Sequence, residues 1–180
     1  PAENIRALAR AKGVQPGDIT ACILDRPRHA ELIAQVRGVG ARMVLIPDGD
    51  VAGVIATTDP KTGIDIYMGT GGAPEGVLAA AALRSIGGQM QGRLVFRTDD
   101  ERQRAYRCGV TDLARKYSLI EMAQGDVIFA ATGVTNGTML DGVVHERDGA
   151  LTTHTVVMRS ATGTVRWIRA RHVNQEKFAI

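Results

Sequence analysis

The sequence predicts an α/β fold: a layered, mainly parallel sheet with helices on both faces, followed by an antiparallel, β-rich C-terminal part. Short apolar runs alternate with segments of helical periodicity over the first half of the chain, which is typical of βαβ units. After a charged middle region the pattern changes to β-rich segments separated by glycine-containing turns. With 180 residues, 44% of them hydrophobic, the chain can bury the core of one domain. We therefore predict a single α/β domain over residues 1–180.

In the first half, each predicted strand is an apolar run closed by Pro, Gly or Asp, and each following segment has helical spacing. Leu32, Ile33 and Val36, for example, recur at that spacing after Pro27, a residue suited to a first helical turn. In chain order, we predict a helix over Glu3–Ala11, a strand over Ile19–Leu24, a helix from Pro27 to Gly38, a strand over Met43–Ile46, a helix over Asp50–Ala56, a strand over Ile64–Met68, a helix from Pro74 to Gly87 and a strand over Gln89–Phe96.

The second half is predicted to begin with a charged helical region over Thr98–Gly125, which Asp99 could cap. Turn signals at Asp148-Gly149 and Thr162-Gly163 separate the last three β-like segments, so we expect these to extend the sheet with antiparallel strands. The four β-like segments are Val127–Thr132, Gly142–His145, Thr152–Met158 and Thr164–Arg171.

Composition disfavours several functional classes. The net charge is only +3, and the 22 basic residues are scattered, so a nucleic-acid-binding surface is not expected. Cys22 and Cys108 lack metal-ligand or disulfide-scaffold spacing, and no apolar stretch is long enough to span a membrane. A cytoplasmic protein is the default expectation. Because the chain starts at Pro1, with no initiator Met and at the edge of a predicted helix, we also expect further sequence before it.

Two polar clusters follow the first two predicted strands, and parallel sheets bind their ligands at the carboxyl ends of the strands. In Asp25-Arg26-Pro27-Arg28-His29, two guanidinium groups flank a helix start, which suits a phosphate. The alternative, which spacing alone slightly favours, is a solvated turn with Asp25 paired to an arginine. His29 is interpreted as a helix-surface residue and not a catalytic base. In Asp48-Gly49-Asp50, two carboxylates could hold hydroxyls or a cation, or could form an Asp-Gly turn and a helix cap.

A glycine-rich segment, Gly69-Thr70-Gly71-Gly72-Ala73-Pro74-Glu75-Gly76, follows the third strand. Its glycines allow close approach of a ligand, and the helix dipole favours an ionised Glu75, a state that suits a divalent cation. A tight turn with Glu75 compensating the dipole is the alternative, and no Walker A ending is present. Ala130–Gly137, which includes the hydroxyl residues Thr132 and Thr135, could shape the same crevice or form a structural turn. From spacing alone, the sequence predicts a phosphate-binding α/β domain.

Taken together and in order, five strings resemble the class II fructose-1,6-bisphosphatases, and this resemblance covers nearly the whole chain. They are Leu24-Asp25-Arg26-Pro27-Arg28-His29, Pro47-Asp48-Gly49-Asp50-Val51-Ala52-Gly53, Gly71-Gly72-Ala73-Pro74-Glu75-Gly76-Val77, Phe129-Ala130-Ala131-Thr132-Gly133-Val134-Thr135 and His154-Thr155-Val156-Val157-Met158-Arg159-Ser160.

The resemblance implies a gluconeogenic, metal-dependent phosphatase of the inositol-monophosphatase-like superfamily. It implies that metal-activated water removes the 1-phosphate of fructose 1,6-bisphosphate and leaves fructose 6-phosphate. The basic loop would hold phosphate, the paired acidic motif would contact the sugar, and a glycine backbone would contact substrate. The implied substrate-binding residues are Arg26, Pro27, Arg28, Asp48, Gly49, Asp50 and Gly72, and Glu75 is the implied ligand of Mn²⁺ or Mg²⁺. Lysine also occurs at the first basic position in the family, so Arg26 is a conservative departure.

The resemblance also implies what this chain lacks. Most metal ligands of the family, including an Asp-Pro-x-Glu-Gly-Thr type motif, lie upstream, and no such motif occurs here. We therefore expect a C-terminal portion of a longer sugar phosphatase that needs its upstream half for activity, in a homo-oligomer. The alternatives are a dual fructose/sedoheptulose bisphosphatase and a non-catalytic sugar-phosphate-binding module.

Overall fold

A computed structural model describes residues 1–174 and contains six helices and nine strands within that range. The helices are α1 (Ala2–Lys12), α2 (Ala30–Gly38), α3 (Asp50–Ala56), α4 (Ala73–Ile86), α5 (Asp99–Arg107) and α6 (Leu119–Met122). The strands are β1 (Thr20–Leu24), β2 (Arg42–Ile46), β3 (Ile66–Tyr67), β4 (Gln91–Arg93), β5 (Lys116–Ser118), β6 (Ile128–Thr132), β7 (Val144–His145), β8 (Leu151–Arg159) and β9 (Thr164–His172). Short 3₁₀ turns lie at Pro16–Asp18, Pro27–His29 and Pro60–Thr62.

The first three strands form a parallel sheet in the order β2-β1-β3. Side chains alternate across its faces. Ala21 and Ile23 of β1 join a core with α1 and α2, while Tyr67 of β3, which pairs with Cys22, packs against α3 and α4. Helices therefore cover both faces, as predicted.

Helix α4 connects the parallel sheet to the rest of the molecule. Its alanine-rich middle, Ala79–Leu83, is buried, and the helix contacts α3, α6, β6, β8 and β9. Small side chains let these neighbours approach closely. Gly87, with φ of 85°, ends the helix in the left-handed conformation that glycine adopts most readily.

The C-terminal part is an antiparallel sheet in which β8 pairs with β6, β7 and β9. Phe129, Val156 and Met158 form one buried face of this sheet and pack with Ala82 of α4 and Ile55 of α3. The predicted antiparallel β-rich part is confirmed. The expectation that these strands extend the parallel sheet is wrong. Within residues 1–174 the two sheets share no strand, and α4 packs against the antiparallel one.

Two other local predictions differ from the structure. Only Gln91–Arg93 of the predicted strand Gln89–Phe96 is extended, and it pairs antiparallel with β5 instead of joining the parallel sheet. The region Thr98–Gly125 is not one helix, because Gly109, with φ of 84°, follows α5, and strand β5 precedes α6. Strand β5, the partner of β4, was not predicted because it lies in a charged segment that favoured a helix.

Glu121 should make the stability of this region depend on pH. The backbone N–H and hydroxyl of Ser118, followed by the Arg115 guanidinium, hydrogen-bond its carboxylate and lower its pKa from 4.5 to about 2. Because the folded pKa is depressed, the stabilisation is present above pH 4.5 and is lost as the pH falls toward 2. We expect Glu121→Gln to lower the thermal unfolding midpoint at neutral pH and to approach the wild type on acidification, as followed by circular dichroism. A constant difference across this pH range would contradict the assignment.

No helix among residues 1–174 is both long and apolar enough to cross a membrane.

Candidate functional site

The three polar loops predicted from the sequence lie at one edge of the parallel sheet. They are the basic loop (Asp25–Arg28), the paired-carboxylate loop (Asp48–Asp50) and the glycine-rich loop (Gly69–Gly72). Each follows the carboxyl end of a strand, and the strands run in parallel register, with Leu24 opposite Ile46 and Cys22 opposite Tyr67. The backbone N–H of Asp25 donates to the Ile46 carbonyl oxygen at 2.8 Å, which ties the first loop to the end of β2.

The strand order β2-β1-β3 places a topological switch point between β1 and β3, where a ligand-binding crevice is expected. Helix α2, which follows β1, packs with α1 on one face, whereas α4, which follows β3, packs with α3 on the other. The chain therefore leaves two neighbouring strand ends in opposite directions, the arrangement at which open α/β sheets bind ligands. The basic and glycine-rich loops lie on the two sides of this expected crevice, because they follow β1 and β3.

In the basic loop, Pro27 begins a 3₁₀ turn and both arginines are exposed. The Arg26 side chain donates to the Asp25 carbonyl oxygen at 2.9 Å and not to its carboxylate. Arg28 Nε donates to the Thr70 carbonyl oxygen at 2.8 Å, which orients its guanidinium toward the glycine-rich loop. The bond uses only Nε–H, so the terminal nitrogens are the ones that would meet an anion.

The paired-carboxylate loop turns at Gly49, whose φ of 73° favours glycine. Asp50 is the first residue of α3, and its Oδ1 accepts the backbone N–H of Val51 at 2.9 Å. Its Oδ2 lies 3.6 Å from the position of a Cβ on Gly71, so this carboxylate reaches the glycine-rich loop. Asp48 is exposed.

Gly72 caps α4, and Glu75 occupies the first turn of that helix. The Glu75 carboxylate folds back over Gly72, so a Cβ at position 72 would overlap its Oε2. A side chain at position 72 would therefore displace the carboxylate from its place beside the loop. Glycine is thus required at position 72 for the observed placement of Glu75.

Tyr67, the last residue of β3, belongs to this site although the sequence analysis did not single it out. A Cβ on Gly69 would lie 3.3 Å from its hydroxyl oxygen, and one on Gly53 would lie 3.2 Å from its ring. Burial, followed by the Asp50 carboxylate, raises the pKa of the phenol to about 12. The hydroxyl is therefore protonated at neutral pH and can donate a hydrogen bond. The available signal was a lone tyrosine at a strand end, directly before a glycine-rich loop.

His29 was predicted to lie on a helix surface, but it is almost completely buried, with 2% of its surface exposed. Its Nδ1 lies 2.7 Å from the Leu24 carbonyl oxygen, and its Nε2 accepts the backbone N–H of Thr70 at 2.9 Å. The prediction was wrong because these partners come from a strand end and a loop, and no local periodicity reports them.

The fourth segment, Ala130–Gly137, begins in β6, where Ala131 packs on the core shared with α3 and α4, and then turns back against other residues of the C-terminal part. Gly133 donates its N–H to the His154 carbonyl oxygen at 3.0 Å, and a Cβ on Gly133 would overlap the Asp141 carbonyl. These contacts support the structural-turn interpretation.

Glu75 does not build a metal centre with its neighbours in this part of the chain. A Mg²⁺ or Ca²⁺ site takes about six or more oxygen ligands. Among residues 1–174, no group of three or more His, Cys, Asp or Glu side chains is arranged to hold a metal ion. Glu75 therefore fits a metal only as one ligand among others supplied from elsewhere.

Comparison with known proteins agrees with the resemblance. The family model described as bacterial fructose-1,6-bisphosphatase, glpX-encoded, matches residues 1–172. Fructose-1,6-bisphosphatase 1 class 2 of Escherichia coli K12 is 39% identical over an alignment of 189 positions, which covers 98% of this chain and 56% of the relative. The class 2 fructose-1,6-bisphosphatases of Escherichia coli O6:H1 and Shigella flexneri give the same identity and coverage. This chain thus spans little more than half the length of these relatives. It belongs to the family of bacterial, glpX-encoded fructose-1,6-bisphosphatases.

Proposed function

We propose that this chain supplies the substrate-binding part of an enzyme that hydrolyses the 1-phosphate of fructose 1,6-bisphosphate to give fructose 6-phosphate. The observation that carries the proposal is the convergence of the three loops on one crevice edge. There, Arg28 is tied to the glycine-rich loop through Thr70, and the carboxylates of Asp50 and Glu75 lie against glycines of the same loop. The relatives' names identify fructose 1,6-bisphosphate as their substrate.

The chemistry of each loop suits one part of this substrate. The exposed guanidinium groups of Arg26 and Arg28, oriented by the Pro27 turn, would hold the phosphate that is not cleaved through charge-assisted hydrogen bonds. Asp48 and Asp50, placed by the turn at Gly49, would accept hydrogen bonds from sugar hydroxyls. The chain's contribution to the reaction is then orientation of the substrate.

The glycine-rich loop would serve the phosphate that is cleaved. Gly72 is exposed and has no side chain of its own, so its backbone could contact a ligand beside the Glu75 carboxylate, and the neutral Tyr67 hydroxyl can donate to an oxygen of the substrate. We propose that Glu75 is one ligand of a Mn²⁺ or Mg²⁺ centre whose other ligands come from outside residues 1–174. When bound, such an ion supplies Lewis-acid charge stabilisation and a more acidic water.

Several parts of the proposal rest on the family resemblance alone. They are the position of this chain as the C-terminal portion of a longer enzyme, its dependence on the upstream half, its homo-oligomeric state and its role in gluconeogenesis. The cytoplasmic location is the default expected from the composition. Each stays a prediction.

The decisive experiment uses the protein at the full length of its relatives. We expect Mn²⁺- or Mg²⁺-dependent release of one phosphate from fructose 1,6-bisphosphate, with fructose 6-phosphate as the product that resists further cleavage. Sedoheptulose 1,7-bisphosphate, assayed in parallel, measures the breadth of the sugar site. Binding of the bisphosphate without phosphate release under any metal condition would favour the non-catalytic module and overturn the proposal.

A further inference from the structure

A side chain replaces one backbone hydrogen bond of the parallel sheet at the crevice. Between β3 and β1, the Met68 N–H donates to the Cys22 carbonyl oxygen at 3.1 Å. Because the ladder repeats every two residues, the next bond would join the Thr70 N–H to the Leu24 carbonyl. Instead, the imidazole of His29 lies between these two groups, 2.9 Å from the Thr70 nitrogen and 2.7 Å from the Leu24 oxygen.

The partners fix the tautomer of this imidazole. A backbone N–H can only donate, so His29 Nε2 is the acceptor of the Thr70 N–H, and Nδ1 carries the proton that it donates to Leu24. Nε2 also lies 3.1 Å from the Thr70 carbonyl oxygen, but that oxygen receives its hydrogen bond from Arg28 Nε. Both ring nitrogens are thus satisfied by neutral imidazole, and the ring acts as a spacer between the strand ends.

The backbone of a single residue, Thr70, is therefore held on both of its polar groups by two consecutive residues of one turn. His29 binds the N–H of Thr70, and Arg28 binds its C=O. Thr70 is followed by Gly71 and Gly72, and Gly72 lies under the Glu75 carboxylate. The backbone of Thr70 thus connects the Arg28 and His29 side chains to the glycines beside Glu75.

We propose that His29 is a positioning residue that sets the width of this crevice, so that one bisphosphate can contact the basic loop and the glycine-rich loop together. The proposal rests on the proposed function for its substrate, whereas the interposed imidazole itself is independent of it. It predicts a selective defect when His29 is replaced. The kcat/KM should fall for substrates that contact both loops and should change little for substrates that contact only one. A group that merely stabilised the fold would affect both kinds equally.

The test uses the full-length enzyme with two substrates, fructose 1,6-bisphosphate and p-nitrophenyl phosphate, whose single phosphate cannot span the loops. We expect His29→Leu to lower kcat/KM for the bisphosphate between about tenfold and a hundredfold, as ångström-scale misplacement does. Turnover of p-nitrophenyl phosphate should change little. His29→Gln, whose amide offers one donor and one acceptor, should recover most of the loss. Val36→Ala, which truncates a fully buried side chain of α2, controls for lost stability.

Equal losses on both substrates, the same selectivity in Val36→Ala, or no rescue by His29→Gln would overturn the positioning role. A separate measurement identifies the interposed ring without any substrate. Nitrogen-15 NMR of the histidine ring at neutral pH should show a protonated Nδ1 and an unprotonated Nε2, and the opposite tautomer would refute the bridge. If the wild type hydrolyses neither substrate, the proposed function fails, and the NMR result still decides whether the imidazole bridge exists.

Discussion

Glu75→Gln is expected to reduce turnover of fructose 1,6-bisphosphate by the full-length enzyme by at least about a hundredfold, since losing even an outer-shell partner of a metal site costs 10- to 100-fold. The amide keeps the shape of the side chain but removes the negative charge that a hard divalent ion needs. Raising the Mn²⁺ or Mg²⁺ concentration should restore part of the activity, because the lesion weakens metal binding. The measurement is kcat as a function of metal concentration for both proteins.

The alternative role of Glu75 gives the opposite result. If the carboxylate only compensates the dipole of α4, the substitution should cost a little stability and leave turnover nearly unchanged. Asp99→Asn is the matched control, because Asp99 is also an acidic residue in the first turn of a helix, α5, and lies outside the three loops. Superimposable metal-dependence curves for wild type and Glu75→Gln would remove Glu75 from the site.

The convergence of the three loops could be predicted because it depends only on strand direction. Once Ile19–Leu24, Met43–Ile46 and Ile64–Met68 are identified as parallel strands, their carboxyl ends must meet at one edge. The observed register, with Leu24 opposite Ile46, confirms this part of the prediction. Family membership was likewise predictable, since it is carried by collinear strings. The roles of the individual residues stay predictions.

His29 and Tyr67 could not be assigned from sequence because their environments are made by distant residues. Thr70 lies 41 residues beyond His29 in the chain. The imidazole is buried where it takes the place of a hydrogen bond between the ends of β1 and β3. The phenol of Tyr67 enters the site because glycines at positions 53 and 69 leave room for it. A sequence pattern records the periodicity of one segment and not the space that a neighbouring segment leaves.

The strand predicted at Gln89–Phe96 was overextended for a related reason. Leu94, Val95 and Phe96 have strand-like character, but the partner of this segment is only Lys116–Ser118, and Val95 is 58% exposed. In this antiparallel register, the reciprocal cap of Ser118 and Glu121 on α6 ends the pairing before Gln91. The turn at Asp112, which accepts the N–H groups of Ala114 and Arg115, ends it after Arg93. The length of a short strand is thus decided by its partner, which local propensity does not report.

Arg28→Ala is expected to raise the KM for fructose 1,6-bisphosphate roughly 10- to 150-fold, the equivalent of about 1.5–3 kcal/mol for hydrogen bonds to a charged group. The guanidinium is exposed and bound to the backbone of Thr70, so its removal should disturb binding much more than folding. Arg28→Lys should give an intermediate KM, because it keeps the charge but loses the planar fork and the Nε bond.

Arg37→Ala removes an exposed arginine from α2, the helix that follows the basic loop, and should leave KM unchanged. Steady-state kinetics on the four proteins, with thermal unfolding to confirm folding, make the comparison. An Arg28→Ala enzyme with wild-type KM and kcat/KM would show that Arg28 does not bind the substrate and would favour the interpretation of the basic loop as a solvated turn.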